Sequence, residues 1–404
     1  MRILHTADWH LGKKLDNFSR HEEQELILKE IIQIANEKDV DIVIVAGDLF
    51  DNFNPSNASL ELYYHSLKEL TGNGKRPVFA IAGNHDSPDK INTTDVLARS
   101  LGIYCFGNPK QELQEMSANS YFSITKTDND FTEIKFNKYD YPLRLIHTPY
   151  ANEQRLKESF DFNNEEWELN LALKNHWELL SKKYCDSSGV NILMSHLFMI
   201  PTSYALEEFK EPDGERPLQL GNASLITADT VPNEIQYVAL GHLHKYIHWK
   251  RANTDFVYSG SPLIYSFSEA MQEKHVIIVD IEPENNAQIQ KIALKKGRNV
   301  RRMMDNSVEE AIKRIKNYPE DLLELTLKTD SYINQEELQQ LREAHDYIIR
   351  LIPQPKIKSE EKDWTSENAK EQNIDNLFEA FFETEKGIKP NEEILSLFKE
   401  IVNL

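Results

Sequence analysis

Five short apolar runs in this chain each lead straight into side chains of the kind that hold metal ions. Ile3 to Ala7 is followed by Asp8-Trp9-His10, and Ile42 to Ala46 by Gly47-Asp48. Val78 to Ile81 leads into Gly83-Asn84-His85-Asp86 and Asn191 to Met194 into Ser195-His196, while Tyr237 to Leu240 leads into Gly241-His242-Leu243-His244. Apolar runs of this length, alternating with helix-like stretches, read as buried strands of βαβ units around a largely parallel sheet. In open α/β sheets ligands collect at the carboxyl ends of the strands. Five strands ending this way bring their polar side chains to one rim, so the pattern specifies an α/β fold and a site together.

Each motif alone is weak. Asp-x-His arises by chance, Gly-Asp after a strand is an ordinary turn, and a lone Ser-His is an ordinary strand end. Gly-His-x-His puts two imidazoles on one strand face, and Gly-Asn-His-Asp is the most specific of the five. As a set they offer carboxylates, an amide oxygen and five imidazoles, a mixed nitrogen and oxygen donor set that suits Mn, Fe or Zn. No thiolate accompanies them, which argues against a structural zinc knot. Two ions ~3.5–4 Å apart need a ligand that touches both, usually a carboxylate, and a bridging hydroxide can then attack phosphorus in line. An imidazole beside such ions suits protonation of an alkoxide leaving group near neutral pH.

The net charge of −20 argues against a chain that holds nucleic acid by bulk electrostatics alone. A DNA enzyme of this charge needs local basic surface, bound cations or a partner. No apolar run reaches the ~18 residues of a membrane span, and Met1-Arg2-Ile3-Leu4 lacks the apolar core of a signal peptide. The cysteines, Cys105 and Cys185, are too few for a disulfide framework, so the expected home is the reducing cytoplasm.

A capping box at Ser19 and Glu22 predicts a helix carrying Leu26, Ile27, Ile31 and Ile34. Further helices are expected over Ser56 to Leu70, Glu153 to Phe160 and Glu165 to Lys182. These elements form a first domain, 1–272. From Lys274 the pattern changes: strands His275 to Ile281 and Gln288 to Ala293, helix Val308 to Ile315, strand Leu322 to Leu327, helix Glu336 to Ala344 and strand Tyr347 to Ile352. They suggest a small α+β domain, 273–353. A polar, charged linker at 354–372 and two amphipathic helices within 373–404 complete the chain.

The order of the five motifs resembles that of the calcineurin-like metallophosphoesterases. More narrowly, HTADWHLGKKL, VAGDLFDNFNPSN, IAGNHDSP and ALGHLHK resemble the SbcD nuclease family, with motifs over roughly the first 270 residues and layout over the rest. The resemblance implies a metallophosphoesterase β-sandwich flanked by helices, a small α+β capping domain that helps bind DNA, and C-terminal helices. It implies a metal-dependent DNA nuclease of repair, recombination and replication: a 3′-to-5′ exonuclease on duplex ends and an endonuclease on hairpins and single strands. It implies two divalent ions, Mn2+ foremost, an SbcC-type coiled-coil ATPase partner, a homodimer within a heterotetramer, and a cytoplasmic, nucleoid-associated location with no membrane.

Carried over residue by residue, one ion falls to Asp8, His10, Asp48 and His244 and the second to Asp48, Asn84, His196 and His242, with Asp48 as the bridge. His85 is the expected proton donor or transition-state stabiliser, oriented by Asp86. The family's archaeal and eukaryotic branch has a second histidine shortly after the Gly-Asp motif. Here Asp51 takes that place, so that histidine's role is not carried over.

The basic stretch Lys291, Lys295, Lys296, Arg298, Arg301 and Arg302 reads by itself as a solvated hairpin edge, and the resemblance implies DNA-backbone contact instead. Lys13, Lys14, Lys245 and Arg251 adjoin metal motifs and are candidates for phosphates. Gly260-Ser261-Pro262, after the strand Phe256 to Tyr258, reads as a plain turn in preference to a substrate contact. The stripe Leu60, Tyr63, Tyr64 and Leu67 reads as core, and the resemblance implies that part of it is subunit interface; Leu377, Phe378, Phe381, Phe382, Leu395, Phe398 and Val402 read as packing on the body, and the resemblance implies that they bind the ATPase. The alternatives to a nuclease are a small-molecule phosphodiesterase or phosphatase of the same superfamily and a non-catalytic scaffold. The extra module and terminal helices count against the former, and the intact motifs against the latter.

Overall fold

Alternation along the first strand explains the layering. In β1 (Arg2–Thr6), Ile3 belongs to one buried cluster and Leu4 to another. In β2 (Ile42–Ala46), Ile42, Ile44 and Ala46 join Ile3, while Val43 and Val45 join Leu4. A strand apolar on both faces must be covered on both. The computed structural model describes residues 1–92, 95–111, 113, 120–150, 167–201, 226–329, 333–355, 378, 379, 381, 382, 390, 395 and 398–400.

The first unit spans Met1–Arg301. Its remaining strands are β3 (Val78–Ile81), β4 (Ile103–Phe106), β5 (Phe122–Asp128), β6 (Phe131–Phe136), β7 (Leu143–Thr148), β8 (Val190–His196), β9 (Tyr237–Gly241), β10 (Ile247–Arg251), β11 (Thr254–Tyr258), β12 (His275–Asp280) and β13 (Gln288–Ala293). One sheet runs β13-β12-β1-β2-β3-β4 and the other β10-β11-β9-β8-β7-β6-β5. The first is parallel from β1 to its β4 edge and antiparallel through β12 and β13, while the second is parallel at the centre and antiparallel at both edges. Ile3, Ile44 and Phe79 of the first meet Leu145, Ile192 and Tyr237 of the second between the layers. This is the expected sandwich.

Helices α1 (His21–Glu37) and α2 (Asn57–Leu70) close the outer face of the first sheet with Ile27, Ile31, Tyr63 and Leu67. Short helices α3 (Pro88–Asn92) and α4 (Asp95–Ser100) follow β3. Helix α5 (Trp167–Tyr184) covers the outer face of the second sheet with Leu173, Trp177 and Leu180. Tyr63 and Leu67 are buried in the first core, while Leu60 and Tyr64 pack against it half-buried. Among the described residues no helix is long and apolar enough to cross a membrane.

The second unit spans Arg302–Leu404. β14 (Val300–Asp305), β15 (Leu322–Thr329) and β16 (Ile348–Pro355) form a three-stranded sheet. Helices α6 (Val308–Ile315) and α7 (Gln335–Ala344) supply Val308, Ala311, Ile315 and Leu341 to its core. Asn334 and Glu337 cap α7 reciprocally.

Three expectations need correction. The pair β12 and β13, expected in the second module, extends the first sheet: β12 lies antiparallel to β1, matching Arg2 with Asp280 and Leu4 with Ile278. The division expected at 272/273 therefore falls after Arg301. At α1 no capping box forms: Arg20 is the N-cap, without a side-chain cap. Its guanidinium is buried and bonded to Glu23 and the Ile264 carbonyl, so a tertiary contact replaces the local one. The expected helix Glu153 to Phe160 lies outside the described residues, as does the linker beyond Pro355 and most of the two terminal helices. Of those helices, Phe378 stacks on Phe398 with centroids 3.8 Å apart and lies 5.7 Å from Phe382, while Phe381 is 61% exposed.

Candidate metal centre

The loops that follow β1 and β2 run side by side. Asp8 N–H donates to Gly47 O and His10 N–H to Asp48 O, each at 2.9 Å. Asp8, His10 and Asp48 have φ of 54°, 44° and 47°, and His242 has 109°. Four non-glycine residues in the left-handed region cost free energy, and such strain persists where the surroundings over-determine a working geometry. The glycines beside them permit close approach. A Cβ on Gly47 would lie 2.2 Å from His196 Nδ1, and one on Gly83 2.1 Å from Asp48 Oδ1.

Each central carboxylate has one oxygen tied and one presented. Asp48 Oδ1 accepts from His85 N–H at 2.9 Å, and Asp8 Oδ1 from His242 N–H at 2.9 Å. Asp48 Oδ2 and Asp8 Oδ2 are buried with no hydrogen-bond partner. An unsatisfied buried carboxylate oxygen is costly, so a cation is the fitting occupant of the space they face. His10 Nε2 and His196 Nε2 approach Asp48 Oδ2 to 3.5 and 3.4 Å. His196 Nε2 is 3.0 Å from Asn84 Oδ1, and His10 Nε2 is 2.9 Å from His244 Nε2. The His242 ring lies 5.6 Å from that of His196. All seven expected ligands thus converge, and six are essentially sealed from solvent, Asn84 being 8% exposed. His196 donates from Nδ1 to the Ala46 carbonyl at 2.9 Å, which turns Nε2 toward the centre.

His85 adjoins this group, its ring 4.9 Å from that of His10. Its orientation differs from expectation. Nδ1 donates to the Asp51 carbonyl at 2.7 Å. The Asp86 carboxylate instead accepts from the N–H groups of Leu49, Phe50 and Gly83 at 3.0, 2.8 and 2.8 Å. Asp86 therefore pins the loops after β2 and β3 together and does not hold the His85 ring. Backbone donors suit a buried carboxylate better than one imidazole does.

Burial disfavours charge on His196, but the carboxylates of Asp48 and Asp8 outweigh it and push its imidazolium up to about 9. Burial pushes the Asp8 carboxyl up to about 7 against the pull of His196 and His244. Burial acts on Asp48 in the same sense, but His196, His10 and His85 hold it below the usual carboxylate range. A bound proton stands in for a cation here. Both His196 and Asp8 have folded values above their ordinary 6.5 and 3.8. Their contribution to stability is therefore full at low pH and is lost as pH rises through those folded values. The metal-free protein is expected to melt at lower temperature as pH goes from 6.5 to 9, and the gain in Tm on adding Mn2+ to grow over the same range. Thermal melts with and without Mn2+ measure both, and a gain that shrinks with pH contradicts this.

Of the basic candidates, Lys13 lies 3.7 Å from Asp51 and 5.8 Å above the Tyr265 ring, which itself borders His10 and His244. Lys14, Lys245, Lys295 and Lys296 are exposed. Glu30 holds the Lys295 and Lys296 N–H groups, which leaves the side chains outward. Arg298 is half-buried near Phe18, and Lys291 lies over Tyr246. Arg301 is half-buried. Arg302 is paired with Glu324 at 2.6 Å. Arg251 is spent on the Ala228 and Val231 carbonyls, a structural clamp rather than a phosphate contact. The sequence reading missed Glu269 and Lys274, which are buried behind His244.

Residues 1–246 match the calcineurin-like phosphoesterase family. The chain is 33% identical over 411 residues to the SbcD subunit of the SbcCD nuclease of Bacillus subtilis, with 100% of this chain and 98% of that one covered. It is 32% identical over 284 residues to the protein of the same name from Staphylococcus epidermidis, covering 70% of this chain and 66% of that one. A phosphoesterase of this family uses a pair of divalent ions, and the donor set converging on Asp48 fits one. The chain therefore belongs to the SbcD nucleases of the calcineurin-like metallophosphoesterase family.

Proposed function

We propose that this chain is the nuclease subunit of an SbcCD-type complex, cleaving DNA as a 3′-to-5′ exonuclease on duplex ends and as an endonuclease on hairpins and single strands. The observation that carries the reading is the pair of half-tied carboxylates facing buried imidazoles. A full-length relative named for such a complex supports the assignment. In this reading Asp8, His10, Asp48 and His244 hold one ion, and Asp48, Asn84, His196 and His242 hold the other. When bound, the ions, Mn2+ foremost, supply an activated water and neutralise charge on the phosphate. His85, its ring fixed by the Asp51 carbonyl, delivers a proton to the leaving oxygen. Asp86 acts by holding the loops beneath it.

The exposed ammonium groups of Lys295, Lys296, Lys14 and Lys245 offer backbone contact in a chain otherwise too acidic to attract DNA. The second unit serves as the capping domain. The terminal aromatic residues Phe378, Phe381, Phe382 and Phe398, with Leu395, serve an SbcC-type ATPase, supported by the exposure of Phe381. A homodimer within a heterotetramer, working on the nucleoid, follows from the same reading.

Purified full-length chain with Mn2+ is expected to degrade linear duplex DNA. Turnover of a chromogenic phosphate ester without any DNA cleavage favours the small-molecule alternative. The double variant Lys295→Ala/Lys296→Ala is expected to weaken duplex binding alike for all sequences and to flatten the plot of log affinity against log salt by about 1–2. Ester hydrolysis should stay unchanged. An unaltered salt slope returns this stretch to a solvated hairpin edge.

A further inference from the structure

Beyond residue 246, where the family match ends, the chain turns back behind the metal centre. A short turn, Phe267–Glu269, and the residue before β12, Lys274, put a carboxylate and an ammonium against His244. Glu269 is 2% exposed and Lys274 8%. Glu269 Oε1 accepts from His244 Nδ1 at 3.1 Å, and its Oε2 pairs with Lys274 Nζ at 2.5 Å. Lys274 Nζ also donates to the His244 carbonyl at 2.9 Å and to Ser261 Oγ at 3.0 Å. Ring and backbone of His244 are thus tied to one buried ion pair. All three ammonium protons have acceptors. Gly260-Ser261 is part of this device rather than a plain turn: a Cβ on Gly260 would lie 2.7 Å from the His244 carbonyl.

Burying two charges is costly and adds little stability by itself. The arrangement has a chemical consequence, however. With a carboxylate at Nδ1, the imidazole proton sits on that nitrogen, and Nε2 presents a lone pair toward the centre, where it lies 2.9 Å from His10 Nε2. His196 obtains the same tautomer from the Ala46 carbonyl, without Glu269. We propose that Glu269 is a positioning residue that fixes the tautomer and ring of His244 for one of the two ions, with Lys274 holding its carboxylate in register. The proposal rests on the dimetal reading of the centre.

Titration of metal-free full-length chain with Mn2+, followed by the electron paramagnetic resonance of the free ion, counts ions and affinities without turnover. The wild type is expected to bind two. In Glu269→Gln one amide oxygen cannot accept from both His244 and Lys274, and the amide N–H2 is turned on a donor. One ion should then bind about 10–100-fold more weakly while the other stays within about threefold. The double variant Glu269→Gln/Lys274→Met returns that oxygen to His244 alone, so it should recover most of the lost affinity. A general packing role predicts no such split and no such recovery. Wild-type affinity for both ions in Glu269→Gln, equal loss of both, or a folded double variant that stays weak each overturn the proposal while leaving the dimetal centre intact. A wild type that binds fewer than two ions removes the dimetal reading and this inference with it.

Discussion

Asp48→Asn is expected to abolish phosphodiester cleavage, by on the order of a thousandfold or more in kcat, while the protein stays folded. Asparagine keeps the volume, and its Oδ1 can still accept the His85 N–H that Asp48 Oδ1 accepts at 2.9 Å. What it loses is the charged oxygen that faces both His10 and His196, at 3.5 and 3.4 Å. In its place it presents an amide N–H2 that cannot bind a cation. The neighbouring carboxylate, Asp8, approaches His196 at Nδ1 rather than at Nε2, 3.8 Å away, so it is not placed to take over the role of Asp48 Oδ2. Steady-state hydrolysis of DNA and of a small phosphate ester, with melts alongside, checks this. Cleavage within tenfold of wild type would mean that the reacting centre lies elsewhere.

Gly241→Ala is expected to be the most damaging single substitution for stability. A Cβ there would stand 1.8 Å from the Ala46 carbonyl oxygen, backbone against backbone. No flexible side chain can give way. Gly241 ends β9 in one sheet and Ala46 ends β2 in the other, so the methyl group would drive the two layers apart at the metal-bearing rim. A cost on the order of 4 kcal/mol or more follows, with Tm lowered by roughly 10 °C. His196, which bonds to that same carbonyl, would be displaced, so metal affinity should fall too. Calorimetry and Mn2+ titration test both, and a variant that melts like the wild type refutes the close approach.

These cases show how much the amino-acid order discloses. The converging side chains were legible because each sits just past the end of an apolar strand, a strictly local signal: Asp8, Asp48, Asn84, His196 and His242 are all brought to one rim. Sheet membership was not legible. The strands His275–Asp280 and Gln288–Ala293 were readable as strands, but nothing in them names Arg2–His5 as the partner. The hairpin Phe122–Phe136 went unread because its apolar residues alternate with polar ones, so it forms no continuous run. Asp86 was misassigned because sequence adjacency to His85 is a poor guide to which group holds a ring: the Asp51 carbonyl arrives from another loop. Glu269 escaped notice because it reaches His244 across 25 residues with no motif to mark it. Local chemistry is written at strand ends; the groups that orient it are brought in by the fold.

An anomalous difference map at the manganese edge, from crystals of the wild type grown with Mn2+, tests the shared-carboxylate centre most directly. Two peaks about 3.5–4 Å apart, both within bonding reach of Asp48 Oδ2, are the predicted result. A single peak, none, or two peaks that do not share Asp48 would contradict it.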